Sequence, residues 1–486
     1  MAILSSQPAP VTESGTQQAE NIQRIFKLQR DYRQEVARTS AKERIAKLRK
    51  LQKAILARQE DFRTALQADF GKHPTETDLT DIFPVTSEIK HTIQHLASWM
   101  RPHKVDTPLS MIGTSSEIRY EALGNTLIIS PWNFPVNLTF GPLVACIAAG
   151  NTAMIKPSEF TPYTSRVMGE LIEEVFEERE IALFEGDHTV SQELLQLPYH
   201  HIFFTGSPRV GKIVMRAAAE NLSKVTLELG GKSPVIVDST ASLTDTAKRV
   251  AWGKCLNNGQ ICIAPDYMLV DRKVEQDLIA EMRTQIGKMY GESEESRKES
   301  DSYARIVNEG HFKRLQGLLE DAVSKGATVE VGGHLDEAQR YISPTVLTGV
   351  TQDMKIMQEE IFGPILPIMS YDGIQNAVDY INDGEKPLAL YIFSKRKAHV
   401  EQILRSTSSG GVGINDTIVH YMNPNMPFGG VNNSGSGQSH GFFGFKSFSH
   451  ARSILRQNLK YSANSMMYPP YTSNIDKLVD VTIKLF

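Results

Sequence analysis

From Asn21 to Trp99 apolar residues return every three or four positions. QRIFKLQRDYRQEVA, AKERIAKLRKLQKAILARQEDFRTAL and TSEIKHTIQHLASWM all repeat this spacing, which predicts helices with one apolar face. SSEIRYEALGNTLIISPWNFP then reads as extended, its first part alternating as a half-buried strand does. Beyond it strand-like and helix-like runs take turns. NTLIIS precedes FGPLVACIAAG, TAMIKPS precedes TSRVMGELIEEVFEE, IALFEG precedes VSQELLQL, HIFFTG precedes VGKIVMRAAAE, and VTLELGG closes the run. Short apolar strands separated by helices predict a parallel sheet covered on both faces, with ligands taken at the carboxyl ends of its strands.

A second alternating series begins at SPVIVD. Its predicted strands are MLVDR, ATVEVGG, PILPIMSYD and ALYIFSK, with long helices such as KVEQDLIAEMRTQIGKMY between them. The break at Gly230 and Gly231 is the best internal boundary, so the chain divides into two parallel-sheet α/β units. Residues 1–20 carry no such periodicity and are expected to form a mobile tail. The terminal IDKLVDVTIKLF is amphipathic and is expected to dock on the body as a short helix; a flap over a substrate funnel and a weak membrane contact are the alternatives.

Composition narrows the class without choosing within it. The 486 residues are 41% hydrophobic and 22% charged, with a formal net charge of −4. Such a balance gives no global attraction to nucleic acid or an anionic membrane. Nowhere do about 18 apolar residues run together, so no membrane span is expected. No basic segment leads into an apolar one at the N-terminus, so no secretory signal is expected either. Three cysteines and no CxxC give no disulfide framework, and Cys255 and Cys262 would lie about 10 Å apart on a helix, beyond bridging distance. A reducing compartment, the cytoplasm, is expected.

Several familiar motifs fail in detail. LGGKSP lacks the first glycine of a P-loop, since Thr226 stands there, and no G-x-G-x-x-G occurs. EIKHTIQH aligns Glu88, His91 and His95 on one helical face, but Thr92 replaces the glutamate that a zinc-protease helix requires. That face is expected to be solvated, and no metal site is assigned. NNSGSGQSHG surrounds Ser436 with glycines without forming a hydrolase nucleophile elbow. FFTGSPRVGK is more useful: Gly206 and Gly211 bracket a strand-to-helix turn whose N–H groups suit a pyrophosphate, with the Ser207 hydroxyl beside them.

Cys146, inside GPLVACIAAG, and Cys255 read as packing residues. Cys262 differs, because NNGQICIAP sets it among polar amides and a glycine. Two other segments could serve it. VTLELGG ends a strand on Glu228, where an idle carboxylate is costly, and SPWNFP places Asn133 after another strand end between stiffening prolines. Each alone is equally explained as a turn or cap residue. Together they suit acyl chemistry on sulfur: a thiolate nucleophile, an amide to hold the oxyanion, and a carboxylate to activate water.

SPWNFP, MIKPSE, FFTGS, LELGGKSP, NNGQICIAP, EEIFGPI and PFGGVNNSG, in this order, resemble the motifs of the NAD(P)-dependent aldehyde dehydrogenase superfamily over roughly residues 25–460. Glu228 and Cys262 stand 34 residues apart, the family's usual interval. AWGKCLNNGQICIAPDYML, GINDTIVHY, KSFSHARSIL and YPPY are similar to its class 3 branch, the aromatic and fatty aldehyde dehydrogenases. The resemblance implies Cys262 as nucleophile, Glu228 as base for deacylation and Asn133 as oxyanion donor. It implies Lys156 and Glu159 at the adenosine ribose, and Gly206, Ser207 and Gly211 near the pyrophosphate. Glu360 and Phe362 would hold the nicotinamide ribose and ring, with Pro131, Trp132 and Leu229 walling the same crevice.

His420, Tyr421 and Met422, after a strand expected at NDTIV, would lie at the substrate entrance. Implied substrates are medium- or long-chain aliphatic or aromatic aldehydes. The cofactor is NAD, because Glu159 opposes a 2′-phosphate, with NADP use common in the branch. Glu228 argues against a relative that passes the acyl group to a second thiol, while esterase turnover could accompany the main reaction. Residues 21–104 and 124–229 would form the dinucleotide-binding domain, 230–444 the catalytic domain, and 105–123 with 445–460 a bridging element, leaving 461–486 as a tail. The bridging hairpin would pair with a partner subunit, SILRQ supplying the matching edge, to give a homodimer. Two departures stand out: Asn432 in PFGGVNNSG replaces a common glycine, and FEGDHTV lacks the usual glycine-rich character.

Overall fold

The computed structural model describes residues 15–108, 111–460 and 468–485. Most of the expected N-terminal tail, two residues of the expected bridging hairpin, and residues 461–467 and 486 of the expected C-terminal tail lie outside the described residues. The first helix, Gly15–Ala37, begins inside the stretch expected as tail, and its Ile22, Ile25 and Phe26 are buried against the first sheet.

Helix Ala41–Ala57 starts at a capping box in which the Ser40 hydroxyl accepts from Glu43 N–H and the Glu43 carboxylate accepts from Ser40 N–H. Helix Pro135–Ala149 carries proline at its first position and stops at Gly150, whose φ of 84° suits a residue without a Cβ. It is apolar nearly all round and forms the centre of the largest hydrophobic cluster, beside Phe62, Ile89 and Phe203.

The first sheet runs in the order Gly435–Ser436, Lys224–Glu228, His201–Thr205, Asn125–Ile129, Thr152–Lys156, Ile181–Leu183. All neighbours are parallel except the first pair, in which Gly435 lies opposite Glu228. Strands Asn125–Ile129 and Thr152–Lys156 are buried at every position, which is why they read as unbroken apolar runs. The second sheet runs Thr328–Val331, Thr345–Thr348, Ile365–Tyr371, Tyr267–Asp271, Pro234–Val237, Ala389–Phe393, Gly411–Ile414. Only Thr328–Val331 is antiparallel to its neighbour.

Thr345–Thr348 and Gly411–Ile414 are strands that apolar patterning alone does not announce, the one being four residues long and the other interrupted by glycine. The residues of NDTIV, expected as a strand before the substrate entrance, instead form a bend leading to a single 3₁₀ turn, Val419–Met422. The chain does not stay with the second sheet after Gly230. It returns through Gly435–Ser436, and helix Gly441–Ser447 then buries Phe445 in the first cluster.

A third sheet of three strands, His103–Val105, Thr114–Ala122 and Ser449–Gln457, stands apart from the others. Ser449–Gln457 pairs antiparallel with Thr114–Ala122 along nine residues of the same chain. SILRQ, expected to supply an edge to a partner's hairpin, is thus the outermost strand of its own. The C-terminal helix Ser473–Leu485 does not dock as its pattern suggests: Leu478, Val481 and Ile483 are 38%, 52% and 73% exposed. No helix among the described residues is long and apolar enough to cross a membrane.

Candidate active site

Cys262 owes its place to the turn before it. Helix Leu243–Cys255 ends, and Asn257, Asn258 and Gly259 then take φ of 50°, 57° and 72° in succession. Left-handed conformations cost non-glycine residues on the order of 1–2 kcal/mol each, asparagine being among the most tolerant. Hydrogen bonds offset that cost. Asn257 N–H donates to Glu76 (2.8 Å), Asn257 Nδ2 to the Asn133 carbonyl (2.9 Å), and Asn258 Nδ2 to the Ala304 carbonyl (2.5 Å). Gln260 Nε2 donates to the carbonyls of Asn257 (2.9 Å) and Arg305 (3.0 Å), and its Oε1 accepts from Val307 N–H (3.0 Å). A Cβ on Gly259 would run into the Gly363 carbonyl.

The NNGQ residues therefore hold the turn, and Cys262 emerges from it half-buried. Burial and the nearby carboxyls of Glu360 and Glu228 push its thiol above the ordinary range, while its own N–H and that of Ile263 favour the thiolate. Cys146 and Cys255 are buried in apolar surroundings, which raises both thiols to about 12.

Asn133 follows strand Asn125–Ile129 and is buried. Its Nδ2 donates to the Gln260 carbonyl (3.0 Å), two residues before Cys262, and its own carbonyl accepts from Asn257 Nδ2 and from Lys72 Nζ (3.3 Å). Glu228 ends strand Lys224–Glu228 and is also buried. Ser439 Oγ donates to its Oε1 (3.1 Å), while Oε2 has no partner among the described residues. Burial raises this carboxyl to about 8 against the opposing effect of the Ser439 bond.

Cys262, Asn133 and Glu228 open onto one cleft of about 1190 Å³ between the strand ends of the two large sheets. Pro131, Trp132, Gly206, Ser207, Leu229, Glu360, Phe362 and Tyr421 line it as well. Lys156, Glu159, Gly211 and His420 do not. Lys156 is buried at the neighbouring strand end, where its ammonium pairs with Glu159 (2.9 Å) and donates to the Pro157 carbonyl (2.7 Å). Gly211 permits close packing, since a Cβ there would lie 2.8 Å from Leu229 Cδ2. His420 packs beside Tyr391 and Phe428, and burial lowers its pKa to about 4.

One half of the cleft fits a nicotinamide dinucleotide. Ser207 caps helix Pro208–Glu220 by accepting from Val210 N–H (3.4 Å), so the helix N-terminus faces the cleft. Glu360 Oε1 lacks a partner among the described residues, and burial raises its carboxyl to about 8. A Cβ on Gly230 would meet that carboxylate, so the Glu360 side chain would have to shift to admit one. The Phe362 ring meets Trp132 edge to face (5.4 Å between centroids), and Trp132 in turn meets His311 (5.1 Å).

The other half is largely apolar, walled by Leu79, Phe83, Leu138, Trp252, Ile418 and Phe428. Tyr421 Oη accepts from Asn137 Nδ2 (3.0 Å), and its ring packs edge to face on Phe428 and His440. Sequence patterning missed Ser439 and His440, which sit in the glycine-rich loop and carry no periodic signal. Glu88 corrects the expectation of a solvated face: its carboxylate lines the cleft, accepts from Gly441 N–H (2.7 Å), and is raised to about 7 by burial. Asn432, in place of a common glycine, takes φ 57° and keeps the loop's left-handed turn, closed by Gly435 N–H on its carbonyl (3.2 Å).

Residues 5–454 match the model of the aldehyde dehydrogenase family. The chain is 45% identical to the 4,4'-diaponeurosporen-aldehyde dehydrogenase of Staphylococcus aureus, over 87% of this chain and 91% of that one. It is 43% identical to mouse aldehyde dehydrogenase family 3 member B2, over 88% of each. The solved structure of substrate-bound Staphylococcus aureus AldH superposes with a TM-score of 0.90 at 42% identity, covering 95% of this chain and 99% of that one. The chain belongs to the aldehyde dehydrogenase family. It is an NAD(P)-dependent aldehyde oxidoreductase with relatives in class 3.

Proposed function

We propose that this enzyme oxidises medium- or long-chain aliphatic or aromatic aldehydes to carboxylates through a thioester on Cys262. The supporting observation is that Cys262, Asn133 and Glu228 border a single cleft whose far side is apolar. Cys262 sulfur attacks the carbonyl carbon, and its thiol proton passes to water in the cleft. Asn133 Nδ2, already held by the Gln260 carbonyl, turns its second N–H to the developing oxyanion together with the Cys262 backbone N–H. A nicotinamide held by Glu360 and Phe362 would supply a two-electron acceptor, which would bring the carbon to the acyl level. Glu228, its Oε2 without a partner among the described residues, takes a proton from water as the water attacks the thioester. The carboxylate departs and the sulfur is free again.

Glu360 and Phe362 would hold the nicotinamide half, Gly206 and Ser207 the pyrophosphate, and Lys156 and Glu159 the adenosine ribose. We favour NAD over NADP because the Glu159 carboxylate repels a 2′-phosphate. The two sheets support a dinucleotide-binding domain of 21–104 and 124–229, to which 435–444 returns, and a catalytic domain of 230–434, joined by a bridging element of 105–123 and 445–460. Edge strand Ser449–Gln457, exposed at most positions, suits pairing in a homodimer, and the three unpaired cysteines suit the cytoplasm. The direct test is reduced-cofactor formation with NAD and with NADP across both aldehyde classes. Wild type should turn over and Cys262→Ala should not; turnover by the variant would reject the nucleophile.

A further inference from the structure

A buried ion pair lies behind the oxyanion loop. Lys72 and Asp81 are both 0% exposed, with Nζ 2.8 Å from Oδ2. Taking two charges out of water costs several kcal/mol per ion, which their attraction offsets only when the remaining donors and acceptors are satisfied. Here those remaining contacts, beyond the short segment that carries the pair, fall on one stretch of chain. Lys72 Nζ donates to the Asn133 carbonyl (3.3 Å) and lies 4.4 Å from the centre of the Phe134 ring. Asp81 Oδ1 accepts from the N–H groups of Val136 (3.2 Å) and Asn137 (3.4 Å) in the first turn of helix Pro135–Ala149. The pair thus grips the loop on both sides of Phe134.

The local backbone is shaped for this grip. Gly71, at φ 69°, ends helix Gln59–Phe70 and turns Lys72 inward. Asp81 sits in a π-helical turn, Asp78–Ile82, a widened form that often marks a functional position. The same segment reaches the turn before the nucleophile, since Glu76 accepts the Asn257 N–H and Asn257 Nδ2 shares the Asn133 carbonyl with Lys72.

We propose that the Lys72–Asp81 pair is a positioning device that fixes the Asn133 amide in the geometry needed for the oxyanion, and that segment 72–81 links Asn133 to the cysteine turn. The proposal rests on the oxyanion role of Asn133 given above. Asn133 must present one N–H to a transient charge while the other stays on the Gln260 carbonyl. A loop anchored only by its own turn would let that N–H drift, and small displacements at a reacting centre are expensive. Lys72 holds the carbonyl of the same residue, so it fixes the orientation of the donor without touching substrate.

The test is a double-mutant cycle in the full-length enzyme. Lys72→Met/Asp81→Asn removes both charges, keeps the side-chain lengths, and leaves an oxygen to accept the two helix N–H groups. In otherwise wild-type enzyme it should lower kcat by about tenfold, part of the 10²–10³ carried by an oxyanion donor, with aldehyde KM within about threefold. In the Asn133→Ala background it should cost less than about twofold, because the donor it positions is gone. Asp81→Asn alone, the milder change should the double variant fold poorly, should show a smaller loss with the same dependence on Asn133. Equal losses in both backgrounds, or a lowered thermal midpoint with unchanged kcat, would mean that the pair serves stability only. Asn133→Ala costing under about tenfold would instead remove the oxyanion role itself, and with it any catalytic meaning for the pair.

Discussion

In the base role proposed for it, Glu228 would serve the reaction at a cost to the fold. At about 8 it is mostly protonated at neutral pH and becomes a base only as pH climbs through that value. Turnover limited by thioester hydrolysis should rise over the same interval. Ser439 Oγ bonds the charged form, so Ser439→Ala should move the acid limb of kcat upward by roughly 0.5–1 pH unit and Ser439→Thr should restore it. An unmoved limb would leave Ser439 without that role. Because the folded value lies above the ordinary 4.5, the fold prefers the protonated acid. Stability is undiminished below the unfolded value and falls as pH rises toward 8. Glu228→Gln should therefore match wild type in thermal midpoint at pH 4 and exceed it at pH 9; equal midpoints at pH 9 would contradict the burial cost. Asn133→Ala should lower kcat by about 10²–10³ if its amide stabilises the oxyanion.

At the scale of elements, the turn from Asn257 to Gly259 sets the position of Cys262, the proposed nucleophile. Gly259→Ala would press a methyl group into the Gly363 carbonyl at a left-handed φ of 72°. The variant should lose about 2 kcal/mol or more of stability and most of its oxidation rate. Near-normal kcat would show that the turn is not needed. Repeating strand–helix units made both sheets readable in the sequence, and Asn133 and Glu228, read at strand ends, both line the cleft. Elements of low periodicity were not readable. Gly411–Ile414 is half glycine, and Gly435–Ser436 is two residues paired with a distant strand. Lys72, Asp81, Glu76 and Ser439 act through contacts 55 to 211 positions away along the chain, and no local pattern can carry those.

Across the whole molecule, the cleft exists because two parallel sheets bring their strand ends together, and neither contributes a complete site. Asn133 and Glu228 come from the first sheet, and Cys262 and Glu360 come from loops of the second. Exchange of Ser453 to proline in the exposed edge strand should weaken a homodimer built on that edge, read as a lower mass by light scattering, while an unchanged mass would place the interface elsewhere. The central claim, a covalent acyl group on Cys262 released through Glu228, is tested most directly in the Glu228→Gln enzyme mixed with NAD and an aldehyde under rapid quench. We expect one equivalent of reduced cofactor per active site, then a stall, with intact mass increased by one acyl group and the peptide of Cys262 carrying it. Continuous turnover in that variant, or an acyl group on another residue, would contradict the account.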